Sequence, residues 1–307
     1  MRVLLTGATG MIGVPLVRAL RERGHQLTAL TRDVERAKAK LEGVTCVAAE
    51  LETPGPWCDE VGTVDAIIHL AGEAAGDKRW DAQQKQRIRD SRTESTRVIV
   101  EAIGKLPPER RPKTLLSASG VDFYPYAIPG LGDEEDVTEA DPPGEQFLAR
   151  VCRDWEQQAR TAEPLGLRVA CMRIGLVLGA GLAMRRLTNP FKWFVGGRIG
   201  SGQQWVSWID VRDVVRLFVT ALEDERYRGP INAVTESVRQ RDFAKLVGKA
   251  VHRPSFMPEP AFGVKLVAGE LAEVILNGRR VVPAKLRAFE FSFEHGDLAA
   301  SLRDAVE

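Results

Sequence analysis

A glycine-rich turn near the N-terminus constrains the fold more than any other feature of this chain. Residues 6–13 read Thr-Gly-Ala-Thr-Gly-Met-Ile-Gly, directly after an apolar run typical of a buried strand and directly before a helical pattern. Gly7 permits a tight turn, Gly10 lets a phosphate approach the backbone, and Gly13 lets the helix pack closely on the strand. Backbone N–H groups and the positive end of the helix dipole would hold the phosphate. The turn therefore predicts a dinucleotide-binding α/β fold.

Strand and helix patterns alternate through the first 175 residues, which indicates parallel strands joined by crossover helices. The predicted strands cover residues 2–5, 26–30, 44–48, 66–70, 114–117 and 168–174, and the predicted helices cover 11–23, 34–41, 90–103, 147–162 and 211–222. We expect a Rossmann-type doubly wound parallel sheet in residues 1–175 and a smaller mixed α/β substrate domain in residues 176–307. Segments of the later half, for example 205–235, are candidates to rejoin the first domain. A loop or lid is expected over 189–204.

Composition argues against several classes of protein. The chain has 43 Lys and Arg against 42 Asp and Glu, a formal net charge of +1, so neither nucleic acid nor an anionic membrane is predicted as a main partner. No apolar run reaches the ~18 residues of a spanning helix, and the first strand pattern begins too early to leave room for a targeting leader. The four cysteines and four histidines show no metal-ligand spacing. We expect no metal site, and reduced thiols in a cytoplasmic protein.

Further motifs follow one another along the chain and allow a comparison with known families. They are His69-Leu70-Ala71-Gly72-Glu73, Arg79-Trp80, Ser91-Arg92, Ser117-Ala118-Ser119, Cys152-x-x-Trp155-Glu156, Gly200-Ser201-Gly202, Ser207-Trp208-Ile209-Asp210, Arg253-Pro254 and a run from Gly278 to Leu286. With the N-terminal turn, they resemble an atypical extended branch of the short-chain dehydrogenase/reductase superfamily. Its members are NADP-binding proteins of the NAD-dependent epimerase/dehydratase type with a C-terminal domain of unknown function. The resemblance covers essentially the whole chain and implies that residues 253–302 are the family-specific segment.

The end of the second strand, Leu30-Thr31-Arg32-Asp33, bears on the choice of dinucleotide. In NAD-binding sheets of this type an acidic residue there bonds the ribose 2′-hydroxyl, and a carboxylate would repel a 2′-phosphate. Arg32 can instead hold a 2′-phosphate with charge-assisted hydrogen bonds and stack on the adenine. We therefore predict NADP as the cofactor. The alternative is that Arg32 is a solvated surface residue and Asp33 takes the acidic role.

The predicted cofactor-binding residues combine the turn, this strand end and the segment after the fourth strand. Small residues at the carboxyl end of that strand leave room for ribose and nicotinamide, and the resemblance implies that residues 70–73 line the cofactor. The full set is Gly7, Thr9, Gly10, Met11, Ile12, Gly13, Thr31, Arg32, Leu70, Ala71, Gly72, Glu73, Lys78 and Ser117. For Lys78 the alternative is a charged surface loop. His69 is expected to be packed or to face the ribose rather than to act as an acid or base.

Two hydroxyl groups follow the buried strand at residues 114–117. In short-chain oxidoreductases a serine at this place hydrogen-bonds the reacting carbonyl or hydroxyl group. Ser119 is the first choice for that role and Ser117 the second; the alternative is an ordinary polar strand end. The phenol nearest in the chain is that of Tyr124, so the predicted catalytic residues are Ser119 and Tyr124.

The acid–base pair that most short-chain oxidoreductases use, Tyr-x-x-x-Lys, is absent from this sequence. The residues four positions beyond the three tyrosines are Ile128, Gly130 and Ile231, and no lysine lies between Lys113 and Lys192. On the helix expected to carry the pair, Phe147 or Leu148 takes the tyrosine place and Val151 or Cys152 the lysine place. None of these side chains transfers a proton in the usual way. We expect NADP(H) binding without ordinary sugar epimerase activity.

Two functions from different classes fit these features. The first is an NADP(H)-binding, epimerase-like oxidoreductase that acts on a small hydroxyl or carbonyl compound, with a nucleotide sugar as the candidate substrate. Basic and aromatic residues in 189–204 suit such a flat anionic ligand, and they suit a protein interface equally well. The second is a non-catalytic NADP(H)-sensing protein whose bound dinucleotide alters contacts with a partner. The sequence leaves the oligomeric state open.

Overall fold

The computed structural model describes residues 1–126, 130 and 132–306. Its strands are β1 (Arg2–Thr6), β2 (Gln26–Thr31), β3 (Thr45–Ala48), β4 (Ala66–His69), β5 (Thr114–Gly120), β6 (Arg168–Ile174), β7 (Leu176–Leu178), β8 (Trp205–Asp210), β9 (Gly229–Ala233) and β10 (Glu236–Arg239). Seven of them form one sheet in the order β3-β2-β1-β4-β5-β6-β9, and every neighbouring pair is parallel. This is the doubly wound sheet that the alternating pattern predicts.

The helices are α1 (Gly13–Glu22), α2 (Val34–Lys38), α3 (Ala82–Gly104), α4 (Phe147–Arg160), α5 (Leu182–Lys192), α6 (Val211–Glu223), α7 (Gln240–Ala250), α8 (Ala261–Ala268), α9 (Ala272–Leu276), α10 (Ala284–Ala288) and α11 (Leu298–Val306). Helices α1 and α6 cover one face of the large sheet, and α3 and α4 cover the other. In β1, Val3 and Leu5 pack in the first layer and Leu4 in the second, because successive side chains point to opposite faces. Burial on both faces explains the continuous apolar strands.

A second, three-stranded sheet lies in the later half of the chain. Strand β8 pairs antiparallel with β10 and parallel with β7, so the small sheet is mixed. Its core contains Trp208 from β8 with Met184 of α5, Phe243 of α7 and Leu302 of α11. Strand β9 also belongs to the later half, but it pairs with β6 in the large sheet. The domain boundary at residue 175 stays a prediction.

Helices α3 and α5 are the clearest departures from the sequence prediction, which also gave other bounds for α1, α2 and α4 and no helices for α7 to α11. Helix α3 begins at Ala82 rather than at residue 90, and Asp81 caps it by accepting a hydrogen bond from the Gln84 N–H at 2.6 Å. Helix α5 continues to Lys192 through Pro190, so the predicted loop over 189–204 is wrong for its first four residues. Thr188 and Phe191 are buried, and this packing outweighs the unfavourable proline. Among the residues that the structure describes, no helix has the length and hydrophobicity needed to cross a membrane.

Candidate cofactor site

A cleft of about 580 Å³ opens where β1, β2 and β4 end. The order of the large sheet reverses between β1 and β4, and ligands of such sheets bind at this switch point. Nine of the predicted cofactor residues line the cleft: Gly7, Thr9, Gly10, Thr31, Arg32, Leu70, Ala71, Gly72 and Glu73. The structure therefore brings the turn, the second strand end and the segment after β4 together at one cleft.

The glycine turn forms a cradle with no room for side chains. Gly7 has φ +68°, and a Cβ there would lie 2.8 Å from the carbonyl carbon of Leu70. A Cβ on Gly13 would lie 2.3 Å from the Gly7 carbonyl oxygen. Within the described residues, the backbone N–H groups of Met11 and Ile12 just before α1 make no hydrogen bond, which leaves them available to an anion at the helix N-terminus.

A buried histidine fixes the wall of the cleft after β4. His69 is fully buried, with Nδ1 2.6 Å from Thr6 Oγ1 and Nε2 3.1 Å from Ser95 Oγ. The Thr6 oxygen already accepts hydrogen bonds from the N–H groups of residues 70 and 71, so its own proton points to Nδ1. Burial lowers the pKa of His69 to about 4, which keeps the ring neutral near pH 7. The ring is therefore packed, as expected, and holds the residues that line the cleft.

Of the two charged residues at the end of β2, the one that lines the cleft is a cation. The exposed Arg32 lines the cleft, whereas Asp33 does not. The Asp33 carboxylate instead caps α2 and accepts a hydrogen bond from the Arg36 N–H at 3.0 Å. Within the described part of the chain, Arg32 forms no salt bridge that would compete for its guanidinium. Of the two alternatives for this strand end, Arg32 is the residue on the cleft and Asp33 is engaged elsewhere.

The predicted catalytic residues lie in a buried hydrogen-bond network beside the cleft. Ser119 donates to Glu156 Oε1 at 2.7 Å, and Arg173 donates to both carboxylate oxygens of Glu156 at 2.8 and 2.9 Å. Arg173 also donates to the Tyr124 hydroxyl at 2.8 Å, and that hydroxyl donates to Asn232 at 2.6 Å. All five side chains are buried. The network joins β5, β6, β9 and α4.

The structure brings Ser119 and Tyr124 into one network but not to the surface of the cleft. Neither residue lines the cleft, and Ser117 is fully buried with its hydroxyl donating to the Ala118 carbonyl. Burial raises the pKa of Tyr124 to about 12, so its phenol keeps its proton. The catalytic role of Ser119 and Tyr124 stays a prediction, and the structure shows both hydroxyls engaged with protein neighbours.

Helix α4 holds packed side chains at both candidate pairs of positions for the tyrosine and the lysine, Phe147 with Val151 and Leu148 with Cys152; of these, Leu148, Val151 and Cys152 are buried. The Phe147 ring packs edge-on against Trp80, with the ring centroids 5.1 Å apart. Cys152 is buried, and burial raises the pKa of its thiol to about 12, so the thiol stays neutral. Neither group can replace the phenol and ammonium of the usual pair. The absence of ordinary epimerase activity stays a prediction.

Several residues at the cleft were missed by the sequence prediction. They are Gln83, Gln86, Arg87, Asp90 and Ser91 of α3, with Ala49, Leu51 and Glu52 after β3. The sequence signal that could have found the α3 residues is Asp81, whose side chain caps the helix. Because α3 begins at Ala82, two further turns of the helix lie along the cleft. Ser91 Oγ accepts a hydrogen bond from the Glu73 N–H at 2.9 Å and so fixes the neighbouring wall. The predicted Lys78 is exposed and does not line the cleft.

The parallel sheet with its switch point, the glycine turn and the cleft define a dinucleotide-binding protein of the extended short-chain dehydrogenase/reductase type. The chain belongs to the NAD dependent epimerase/dehydratase family, whose sequence model matches residues 3–233. Residues 260–305 match a second model, the domain of unknown function DUF1731. The two matches together cover most of the chain and agree with the resemblance seen in its motifs.

Proteins similar to this chain occur in bacteria, plants and humans. The epimerase family protein SDR39U1 homolog, chloroplastic, of Arabidopsis thaliana is 37% identical over 309 residues, which cover 100% of this chain and 87% of that protein. Epimerase family protein SH2119 of Staphylococcus haemolyticus is 33% identical, covering 99% of this chain and 98% of that protein. The crystal structure of the human epimerase family protein SDR39U1 (isoform 2) with NADPH has a TM-score of 0.83 at 30% identity and covers 99% of both chains. The similarity therefore includes the C-terminal segment.

Proposed function

We propose that this protein binds NADP(H) in the cleft between β1, β2 and β4. The observation that carries the proposal is the position of Arg32 on the cleft, while the neighbouring Asp33 carboxylate is engaged in capping α2. The human relative, solved with NADPH, supports the same choice of cofactor. A guanidinium favours a 2′-phosphate through charge-assisted hydrogen bonds, and a carboxylate would repel it.

The residues present fit a dinucleotide along the whole cleft. The cradle at Gly7 and Gly13, which a Cβ would fill, leaves the backbone open to a diphosphate. The N–H groups before α1 would donate to that diphosphate, and Arg32 would hold the 2′-phosphate. Residues 70–72, fixed by Thr6 and His69, would lie along the ribose. Bound NADP(H) supplies hydride transfer.

The reaction that this arrangement suits is hydride transfer to or from a small hydroxyl or carbonyl compound, with a nucleotide sugar as the candidate substrate. The accompanying proton would need Ser119, with Tyr124 as the second candidate. Both hydroxyls are held by Glu156 and Arg173, so a substrate would have to displace these hydrogen bonds. We therefore expect purified protein not to epimerise common nucleotide sugars at the rates of enzymes with the usual pair. Robust epimerisation in a coupled assay would contradict this.

A second function, NADP(H) sensing without catalysis, is favoured by the side chains at the candidate places of the usual acid–base pair, Phe147 with Val151 or Leu148 with Cys152, none of which transfers a proton in the usual way. Oxidation of NADPH, followed by absorbance with a panel of carbonyl compounds and nucleotide sugars, supports the enzyme. In that assay Tyr124→Phe and Ser119→Ala report which hydroxyl takes part. A partner protein whose affinity follows NADP(H) occupancy supports the sensor.

We also propose a cytoplasmic location and no nucleic-acid partner. All four cysteines, which lie in the described residues, are free, and this fits a reducing compartment. The near-zero net charge of +1 argues against a polyanion as the main partner of the whole molecule. Fractionation of the source cells, followed with an antibody to the protein, measures the location directly.

Binding measured by isothermal titration calorimetry tests the cofactor proposal. The unaltered protein is expected to bind NADPH at least tenfold more tightly than NADH, because the 2′-phosphate adds hydrogen bonds to a charged group. Arg32→Asp should abolish or reverse that preference. Arg18→Asp on the exposed side of α1 makes the same charge change away from the cleft and should leave it intact. Equal affinity of the unaltered protein for both dinucleotides would exclude the proposal.

A further inference from the structure

Helix α8 lacks the buried face that normally attaches a helix to a folded protein. It is apolar at every position except Lys265, yet none of its residues is buried. Phe262 is 76% exposed, Leu266 74% and Val267 80%. A helix of this kind in water normally packs its apolar face on another surface.

A second apolar segment lies next to α8 and extends this face. Trp193, Phe194 and Val195 follow α5, and Trp193 is 76% exposed. The Arg253 guanidinium lies over the Phe194 ring, 5.0 Å from its centroid. A few residues further on, the Glu259 N–H donates to the Arg198 carbonyl at 2.9 Å and the Gly200 N–H donates to the Glu259 carbonyl at 2.8 Å. We call the combined set the apolar surface: Trp193, Phe194, Val195, Phe256, Met257, Phe262, Leu266 and Val267.

Cations accompany the apolar surface. Lys192, Arg198, Arg253 and Lys265 are exposed, and in the described part of the chain none of them forms a salt bridge. Glu259 supplies the one carboxylate in residues 192–199 and 253–267, and burial raises its pKa. The net charge of +1 for the whole chain thus averages over a local surface with four exposed cations. The expectation of no anionic membrane partner rested on that net charge, and we revise it for this surface. The charge of this surface is complementary to an anionic partner.

We propose that the apolar surface docks the protein peripherally on an anionic lipid membrane. Trp, Phe and Leu side chains bordered by Lys and Arg are the pattern of helices that lie in the headgroup region. Each cation near such a surface strengthens its binding, and the aromatic side chains enter the acyl boundary. A second copy of the chain would bring the same cations face to face, which disfavours self-association. Such docking lies on a membrane and does not require a spanning helix.

Trp193 provides a direct spectroscopic reporter of the docked state. All six tryptophans lie in the described residues; four are buried, Trp205 is half-buried and Trp193 is exposed. With vesicles of phosphatidylcholine and phosphatidylglycerol in equal parts, we expect the protein to float with the vesicles and its emission to shift to the blue. Trp193→Phe should remove most of the shift while the protein still floats. Vesicles of phosphatidylcholine alone should bind it at least tenfold more weakly.

Paired variants separate this docking from general charge attraction. Lys192→Glu with Lys265→Glu should weaken vesicle binding at least tenfold. Lys40→Glu with Lys113→Glu makes the same charge change at exposed sites outside the apolar surface and should have little effect. Phe262→Asp should weaken binding as well.

Three outcomes would overturn the proposal: the unaltered protein does not bind anionic vesicles at low salt, Phe262→Asp binds them equally well, or this surface instead forms a dimer in solution that Phe262→Asp dissociates. NADPH affinity, measured in parallel, tests the proposed function separately.

Discussion

At the scale of single residues, the most unusual feature is the ion pair between Arg173 and Glu156 inside the fold. Both side chains are less than a tenth exposed, and the guanidinium meets the carboxylate through two hydrogen bonds. Taking two charges out of water is costly, and their attraction offsets that cost only when the geometry is good and the remaining atoms are satisfied. Here Ser119 and Tyr124 satisfy them. We infer that the two hydroxyls hold this pair in place.

Removing one partner of the buried pair should strongly destabilise the protein. Arg173→Met leaves the Glu156 carboxylate buried without its cation, and we expect the free energy of unfolding in urea to fall by about 3–5 kcal/mol. Arg97→Met, which breaks an exposed pair with Glu94 and Glu101 on α3, should cost less than about 1 kcal/mol. Similar losses of unfolding free energy in the two variants would show that the buried network contributes no more to stability than surface ion pairs do.

The buried His69 should make stability depend on pH. Its pKa is about 4 in the folded protein against an ordinary 6.5, so the unfolded chain binds more protons between these values. Stability attributable to His69 is therefore present above pH 6.5 and is lost as pH falls toward 4, by about 2 kcal/mol between pH 7 and pH 5.

The measurement compares the unaltered protein with His69→Asn by urea unfolding at the two pH values. The variant has no imidazole to protonate in either state, so its loss of stability between pH 7 and pH 5 should be smaller by that amount. An equal loss in both proteins would mean that His69 does not contribute to the pH dependence.

At the scale of elements, the close approach of α1 to the turn after β1 shapes the cofactor cradle. A Cβ on Gly13 would lie 2.3 Å from the Gly7 carbonyl oxygen and 2.6 Å from the Ala8 carbonyl carbon. Both obstacles are backbone atoms, which cannot rotate away as a flexible side chain can. The helix can therefore keep its position only with glycine there.

Gly13→Ala should move α1 away from the turn and weaken both stability and cofactor binding. We expect a loss of about 1–3 kcal/mol in the free energy of unfolding, together with weaker NADPH binding by calorimetry. Gly104→Ala at the end of α3 is the matched control, since its Cβ would lie 3.7 Å from Leu165 in ordinary contact. Unchanged stability and NADPH affinity of Gly13→Ala would contradict the claim that the close approach of α1 to the turn shapes the cofactor site.

Elements of the large sheet could be predicted from the sequence because local signals and burial agree there. Strand β6 over Arg168–Ile174 and the start of α4 at Phe147 occur at the predicted residues. Polar α3 and proline-containing α5 were harder to predict, since a cap and tertiary packing decide them rather than an apolar stripe. Missing the first turns of α3 also removed Gln83, Gln86 and Arg87 of the cleft wall from the predicted site.

At the scale of the whole molecule, the C-terminal segment is attached to the edge of the large sheet by buried polar groups. Asn232 of β9 donates to the Val282 carbonyl at 2.9 Å, and its own N–H donates to Glu139 at 3.0 Å. The same Glu139 carboxylate accepts from the Lys285 N–H. These contacts join residues 50 to 146 positions apart, so no local pattern in the sequence could predict them. The glycine turn and Arg32 could be predicted because the strand and helix patterns next to them in the sequence already indicate a dinucleotide-binding fold.

Binding of NADP(H) in the cleft is tested most directly by the coupling between Arg32 and the 2′-phosphate of the dinucleotide. Calorimetry of the unaltered protein and of Arg32→Met, each with NADPH and NADH, gives four affinities that isolate this one interaction. We predict that Arg32→Met weakens NADPH binding at least tenfold and changes NADH binding little, a coupling of about 1.5–3 kcal/mol as expected for hydrogen bonds to a charged group. Equal losses for the two dinucleotides, or none, would contradict the assignment of the cleft to NADP(H).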